Sequence, residues 1–215
     1  MIKTKHFIAL FVPAILIVGL AMYVQIIRYR VSTTKPSTTT EDTTVADLVP
    51  ILPDDPVIGN KKAPNTIIAF EDFGCPSCKQ HTAILDQLLA TYPDKVNIIW
   101  KSLSVTRFPY STTLVHAYGY CANKQGKFDA FKASAFANSD NLSAEIVPLV
   151  AEQAELDKDV LSTCLESGLP ELYAEQTESI ATALNIQAVP TFFVDNTQVD
   201  PPLFLEGWVT LLGIQ

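Results

Sequence analysis

Two cysteines with two residues between them, Cys75-Pro76-Ser77-Cys78, are the part of this chain best suited to chemistry. Thr66-Ile67-Ile68-Ala69-Phe70 precedes them as an apolar, β-rich run, and apolar residues follow at helical spacing. The pair therefore falls where a strand hands over to a helix. The first N–H groups of a helix lack intrahelical partners, and the helix dipole adds partial positive charge there. Both favour a thiolate on Cys75, and the thiolate is the species that attacks a disulfide and leaves from one. Cys78, three residues on, shares a helix face with Cys75 and can close a short disulfide with it. The spacing predicts Cys75 as the exposed nucleophile and Cys78 as the more buried resolving thiol. Half a zinc site and an inert structural disulfide are the competing readings. Zinc finds little support, because Cys121 and Cys164 stand alone in the sequence without clustered histidines.

Several elements must position that pair. Residues 66–70 read as a fully buried strand, and Pro76 suits a first helical turn. Ile84, Leu85, Leu88 and Leu89 continue the helix until Tyr92-Pro93-Asp94 ends it, and Val96–Trp100 reads as the next strand. Strand, helix and strand make a βαβ unit. From about 108 to 186 the pattern is helical. Segments are expected near 111–123, 127–137 and 143–155, the last with Pro148 forcing a kink or a later start. A further helix has Asp157 as N-cap and stops at Gly168, and another has Pro170 in its first turn and Asn185 past its end. Thr191–Val194 returns as a strand, Asp195-Asn196 turns, Gln198-Val199 pairs back, and a short helix closes the chain from Glu206. The fold class is α/β, with a block of helices inserted between two strand regions. Val189-Pro190-Thr191 puts a proline directly before a strand, far from the cysteines in sequence. Taken alone, that is an ordinary strand start.

Phe70-Glu71-Asp72-Phe73-Gly74-Cys75-Pro76-Ser77-Cys78, the helical insert and Val189-Pro190-Thr191-Phe192-Phe193-Val194 together resemble the DsbA-like thiol:disulfide oxidoreductases of the thioredoxin superfamily. They are similar also to the membrane-anchored, BdbD-like members of that group, and Cys121–Phe128 resembles a stretch of its insert. The likeness covers roughly residues 55–200. It implies a thioredoxin-like fold with an inserted helical subdomain, and exchange at Cys75 and Cys78 without a cofactor or metal. It implies that Pro190 is cis, packed beside the cysteines, with Val189 and Thr191 forming a groove for substrate backbone. An X–Pro cis bond costs only about 0.5–1 kcal/mol. The implied substrates are reduced or misoxidised extracytoplasmic proteins, and the implied redox partner is a quinone-linked membrane protein of DsbB or VKOR type. A reductase running the reverse direction, an isomerase, and a non-catalytic peptide-binding module are the alternatives. In an oxidising compartment Cys121 and Cys164 either form a structural disulfide, as similar pairs do in the anchored relatives, or remain two buried thiols. The chain departs from the group at Ala69, where many relatives carry a buried acid that assists proton transfer. That role must pass to Glu71, to water, or to nothing. Ala188-Val189 replaces a Gly-containing pair, and Pro201-Pro202 interrupts a final strand. His81 is expected at the surface and His116 as a partly buried helix residue.

The remaining sequence places the domain. Residues 1–6 form a short tail. Phe7–Val24 is uncharged over eighteen residues and extends through Ile27, against the roughly 20 needed to span a bilayer core. We read 7–27 as an uncleaved transmembrane signal-anchor in preference to a cleaved signal peptide. Residues 28–49 are a flexible linker, with nine Ser or Thr among the thirteen residues 32–44. The folded domain is expected over 50–215, at a cell membrane and on its extracytoplasmic side. All Asp and Glu lie beyond residue 36, where 23 of them face 10 Lys and Arg, so phosphate backbones are repelled and nucleic-acid binding is excluded.

Overall fold

The computed structural model describes residues 48–214 together with Leu20, Met22 and Tyr23. The tail, the anchor expected over 7–27 and the linker over 28–49 lie outside the described residues, apart from those three helical positions, Leu48 and Val49. Among the described residues no helix is long and apolar enough to cross a membrane.

The folded region runs β1 (Val57–Gly59), β2 (Asn65–Glu71), α1 (Pro76–Thr91), β3 (Val96–Ser102), α2 (Thr113–Lys124), α3 (Phe128–Ala137), α4 (Ile146–Gln153), α5 (Lys158–Leu165), α6 (Leu169–Ala183), β4 (Thr191–Val194), β5 (Thr197–Val199) and α7 (Leu205–Leu211). Among the described residues the strands form one sheet in the order β1-β3-β2-β4-β5. β2 and β3 are parallel, joined through α1 as the sequence predicts, and the other pairings are antiparallel. β1 was not anticipated. Its three residues are too short for any apolar alternation to show. The β4–β5 hairpin turns on Asp195 and Asn196 at φ +48° and +60°, a left-handed pair that Asp and Asn tolerate.

Inside the insert, α4 starts at Ile146, later than the expected 143, which leaves Pro148 in the first turn where its missing N–H costs nothing. Asp157 caps α5 as expected, accepting from the N–H groups of Asp159 and Val160 at 3.0 and 2.9 Å. The last helix, α7, ends at Leu211, short of the expected terminus.

Both faces of the sheet are covered. Ile67, Ala69, Ile98, Trp100 and Phe192 pack with α1, α7 and the helices of the insert. Ile68, Phe70, Ile99 and Phe193 pack on the other side with Ala181 and Ile180 of α6. Phe73 is fully buried, its ring 5.3 Å from Trp100, 5.9 Å from Phe131 and 5.4 Å from Phe136. Burying one Phe is worth about 1.5–3 kcal/mol, so this residue fastens the turn between β2 and α1 to the core. Lys101 is buried in β3, where its Nζ meets Asp55 Oδ2 at 2.5 Å, and Tyr173 of α6 donates to Asp55 Oδ1 at 2.8 Å. Lys101 also donates to the Pro50 carbonyl, so the segment ahead of β1 is tied to the centre of the sheet.

Candidate active site

β2 ends at Glu71, the chain turns through Asp72-Phe73-Gly74, and Cys75 takes the N-cap of α1 with Pro76 in the first turn. Gly74 is required there. A Cβ at that position would lie 2.7 Å from Thr112 Cγ2 and 3.0 Å from Thr106 Cγ2. Cys75 and Cys78 are free thiols. Cys75 is half-buried, Pro76 and Ser77 are exposed, and Cys78 is fully buried on the inward face of α1. Cys75 Sγ accepts the Cys78 N–H at 3.2 Å. Hydrogen bonding from the Cys78 thiol, with the backbone N–H groups of Cys78 and Ser77, outweighs partial burial and brings the Cys75 pKa down to about 7. Burial pushes the Cys78 thiol far up, and its bond to Cys75 and the charge of Glu71 add to that. One sulfur is poised as a thiolate at neutral pH and the other is held as a thiol.

The fold brings Val189-Pro190-Thr191 to this turn. Thr191 pairs with Phe70 across the β2–β4 ladder, and the Val189–Pro190 bond is cis. The Cys75 thiol points at the Val189 carbonyl, 3.6 Å from Sγ to oxygen. Thr191 Oγ1 donates to the Ala188 carbonyl at 2.7 Å. Val189 and Pro190 are half-buried, so they border the sulfur without covering it. A second cis bond, Phe108–Pro109, was not anticipated. Cys121 of α2 and Cys164 of α5 are bonded to each other, with S–S 2.07 Å.

The sequence left the role of Glu71 open, gave no sign of what Asp72 does, and did not anticipate how deeply His116 and His81 are buried. Asp72 is fully buried and organises the β3–α2 loop. Its Oδ2 accepts from the N–H groups of Val105 and Thr106 at 2.8 and 2.6 Å and from Thr112 Oγ1 at 3.1 Å. Its Oδ1 accepts from Gly74 N–H and from His116 Nε2, both at 3.1 Å. Burial alone would raise the Asp72 carboxyl, but His116 and the backbone donors overcome it and hold the group well below the usual carboxylate range. His116 is thus a fully buried partner of Asp72, where the sequence suggested partial burial. His81 corrects the reading more sharply. It is 5% exposed, on the same face of α1 as Cys78, Thr82 and Leu85, with its ring 5.6 Å from Phe192, and burial pushes its pKa down.

Glu71 is the third buried group. It stands two residues beyond Ala69 in β2, on the same face by strand alternation. It is 1% exposed, Oε2 accepts from Thr82 Oγ1 at 2.9 Å, and Oε1 has no partner among the described residues. Burial raises its pKa to about 8, with the Thr82 bond and the charge of Lys132 pulling the other way. A carboxyl that titrates near neutrality, electrostatically linked to both cysteines, can take and return a proton. The acidic Glu71-Asp72 pair directly after a buried strand was the available signal for both residues.

The chain matches the family described as Thioredoxin over residues 52–213. It is 30% identical over 162 residues to Na(+)/H(+) antiporter NhaA 3 of Salinispora tropica, a match covering 74% of this chain and 24% of that protein. The chain spans about a quarter of the length of the curated relatives it matches. Among solved structures, a thioredoxin-like oxidoreductase from Silicibacter pomeroyi DSS-3 is similar at TM-score 0.69 and 21% identity, over 79% of this chain and 95% of that one. Oxidised BdbD from Bacillus subtilis is similar at TM-score 0.64 and 19% identity, over 74% and 91%.

Proposed function

Because the chain belongs to the thioredoxin family and shares the fold of DsbA-like thiol-disulfide oxidoreductases, we propose that it forms disulfides in extracytoplasmic proteins by exchange at Cys75-Pro76-Ser77-Cys78. The observation that carries exchange at this site is the contrast between the two sulfurs, and the Cys121–Cys164 disulfide supports an oxidising compartment for it. Cys75 is accessible and favoured as a thiolate, while Cys78 is buried and favoured as a thiol.

In the oxidised enzyme a substrate thiolate attacks Cys75 Sγ. The Cys75–Cys78 bond breaks, its electron pair goes to Cys78, and Glu71 supplies the proton that Cys78 takes. A second substrate thiolate attacks the substrate sulfur of the mixed disulfide and expels Cys75 as a thiolate, a good leaving group at a pKa of about 7. The substrate has lost two electrons and the enzyme holds them as a dithiol. A membrane partner of DsbB or VKOR type then removes them. The Val189 carbonyl beside Sγ gives an incoming backbone a place to align, with Pro190 and Thr191 fixing its position. The anchor-like segment 7–27 and the relatives bearing the name Na(+)/H(+) antiporter support a place at a membrane.

Equilibrating the full-length protein with glutathione and alkylating Cys75 and Cys78 tests the reading. A potential of about -120 mV is expected for an oxidase. A value of about -270 mV would reassign the protein as a reductase. If Cys75 and Cys78 exchange with nothing, the fold serves binding alone.

A further inference from the structure

On α1, Cys78, Thr82 and Asp86 recur every four residues, so one stripe of the helix carries a thiol, a hydroxyl and a carboxylate in a row. Glu71 meets this stripe from β2 through its bond to Thr82. Lys132 meets it from α3, inside the helical insert. That side chain is buried, and its Nζ lies 2.7 Å from Asp86 Oδ1. Asp86 is half exposed, so the stripe ends in solvent. The charged and titratable groups facing Glu71 are Cys75 and Cys78 at the redox turn, Asp86 further along α1, and Lys132. Asp129, one turn before Lys132 on α3, faces Lys132 and Asp86. His81 lies on the inward face of α1 but stands against Phe192. Lys132 is the cation in an otherwise anionic set. A buried carboxyl without an opposing cation keeps its proton, and Glu71 Oε1 has no hydrogen-bond partner among the described residues to offset its burial.

We propose that Lys132 is a positioning residue for exchange at Cys75 and Cys78: held by Asp86, its ammonium keeps Glu71 available as the carboxylate that takes the Cys78 proton. The helical insert thereby contributes a charge to the redox site as well as packing. The inference rests on the reading of Cys75-Pro76-Ser77-Cys78 as an exchange site.

Oxidised glutathione is the probe. The Cys75 thiolate attacks one of its sulfurs, forms a mixed disulfide, and releases one glutathione thiolate with the electron pair of the broken bond. Cys78 then gives its proton to Glu71, attacks Cys75 Sγ, forms the Cys75–Cys78 bond and displaces the second glutathione thiolate. Two electrons pass from the protein to glutathione, and the proton leaves Glu71 for solvent. The second step is followed on the full-length, reduced protein by acid quenching and mass spectrometry of the Cys75 adduct across the pH range.

Its rate rises with pH as Glu71 ionises. Lys132→Met is expected to move that rise to higher pH, lowering the rate on the rising limb about tenfold, the equivalent of one unit in pKa. Asp86→Asn removes a charge of the same sign as the Glu71 carboxylate, so its rise moves to lower pH and marks the direction opposite to Lys132→Met. Lys132→Arg keeps the wild-type profile, and Lys132→Met has no further effect in a Glu71→Gln background. A lysine needed only for packing would slow the step without displacing its pH dependence, and a Lys132→Met profile that overlays the wild type overturns the proposal. If Lys132→Met does not fold, Lys132→Gln, which keeps a polar partner for Asp86 without the charge, decides by the same displacement of its pH profile. Failure of the wild type to form any Cys75 adduct would instead remove the exchange reading beneath it.

Discussion

At Cys75 one sulfur accepts the amide of Cys78, receives its thiol and faces the Val189 carbonyl, so the reactive atom is held by its own helix and by the segment leading into β4, more than a hundred residues away. Glu71 is the counterpart proposed to carry the proton. Its pKa stands at about 8 in the folded chain against an ordinary 4.5, chiefly through burial. A carboxyl raised in this way adds stability while protonated, fully below pH 4.5, and loses it as pH rises through about 8. Glutamine at this position cannot ionise. Glu71→Gln should therefore be more stable than wild type above pH 8, by on the order of a few kcal/mol in urea unfolding. The same change should slow the Cys78 step about 100-fold, the usual worth of a general base. Equal stability of the two proteins at every pH would show that the carboxyl is not buried as described.

Among the helices of the insert, α5 is the least embedded, with Leu161 its one buried residue. The Cys121–Cys164 bond joins it to α2 across 43 positions of sequence, and closing a loop of that length stabilises by about 2–4 kcal/mol. Replacing both cysteines with serine should cost that much in urea unfolding and expose the α5 amides to hydrogen exchange. Exchange at Cys75 should continue at the wild-type rate, because the bond belongs to the insert and the reactive pair to α1. The β3–α2 loop follows a different rule. Its backbone donors converge on one carboxylate, Asp72, and that carboxylate also accepts from Gly74, just ahead of Cys75. A single buried charge thus sets the shape of the turn and of the loop beside it.

For the molecule as a whole, the packed domain reaches further toward the N-terminus than the expected start at 50. Val49 is buried and its N–H donates to Asn196 Oδ1 at 3.2 Å, and Lys101 holds Pro50 and Asp55. The described residues from 48 onward form one compact unit. Deleting 1–44 should move the protein from the membrane fraction to the soluble one and leave the redox potential of Cys75 and Cys78 unchanged. A truncated chain that still sediments with membranes would remove the anchor from the proposal. Cutting at 56 should abolish folding, since breaking a buried ion pair by losing one partner costs about 3–5 kcal/mol.

The cysteine pair, the strand before it, the proline before β4 and the N-cap of α5 were legible in the sequence. Each is written in a few consecutive residues whose spacing or backbone restriction fixes a local conformation. The same locality gave the βαβ unit and the helical insert. Only the tertiary structure decided what the buried polar groups do. Asp72 meets donors more than thirty residues downstream, and Lys132 reaches a stripe on α1 that no local pattern connects to it. His81 reads as a surface histidine until Phe192 closes over its ring. Local spacing decides where a thiolate can form. The burial and charge that set proton affinity come from groups that meet only when distant elements pack, and so they are fixed by the fold.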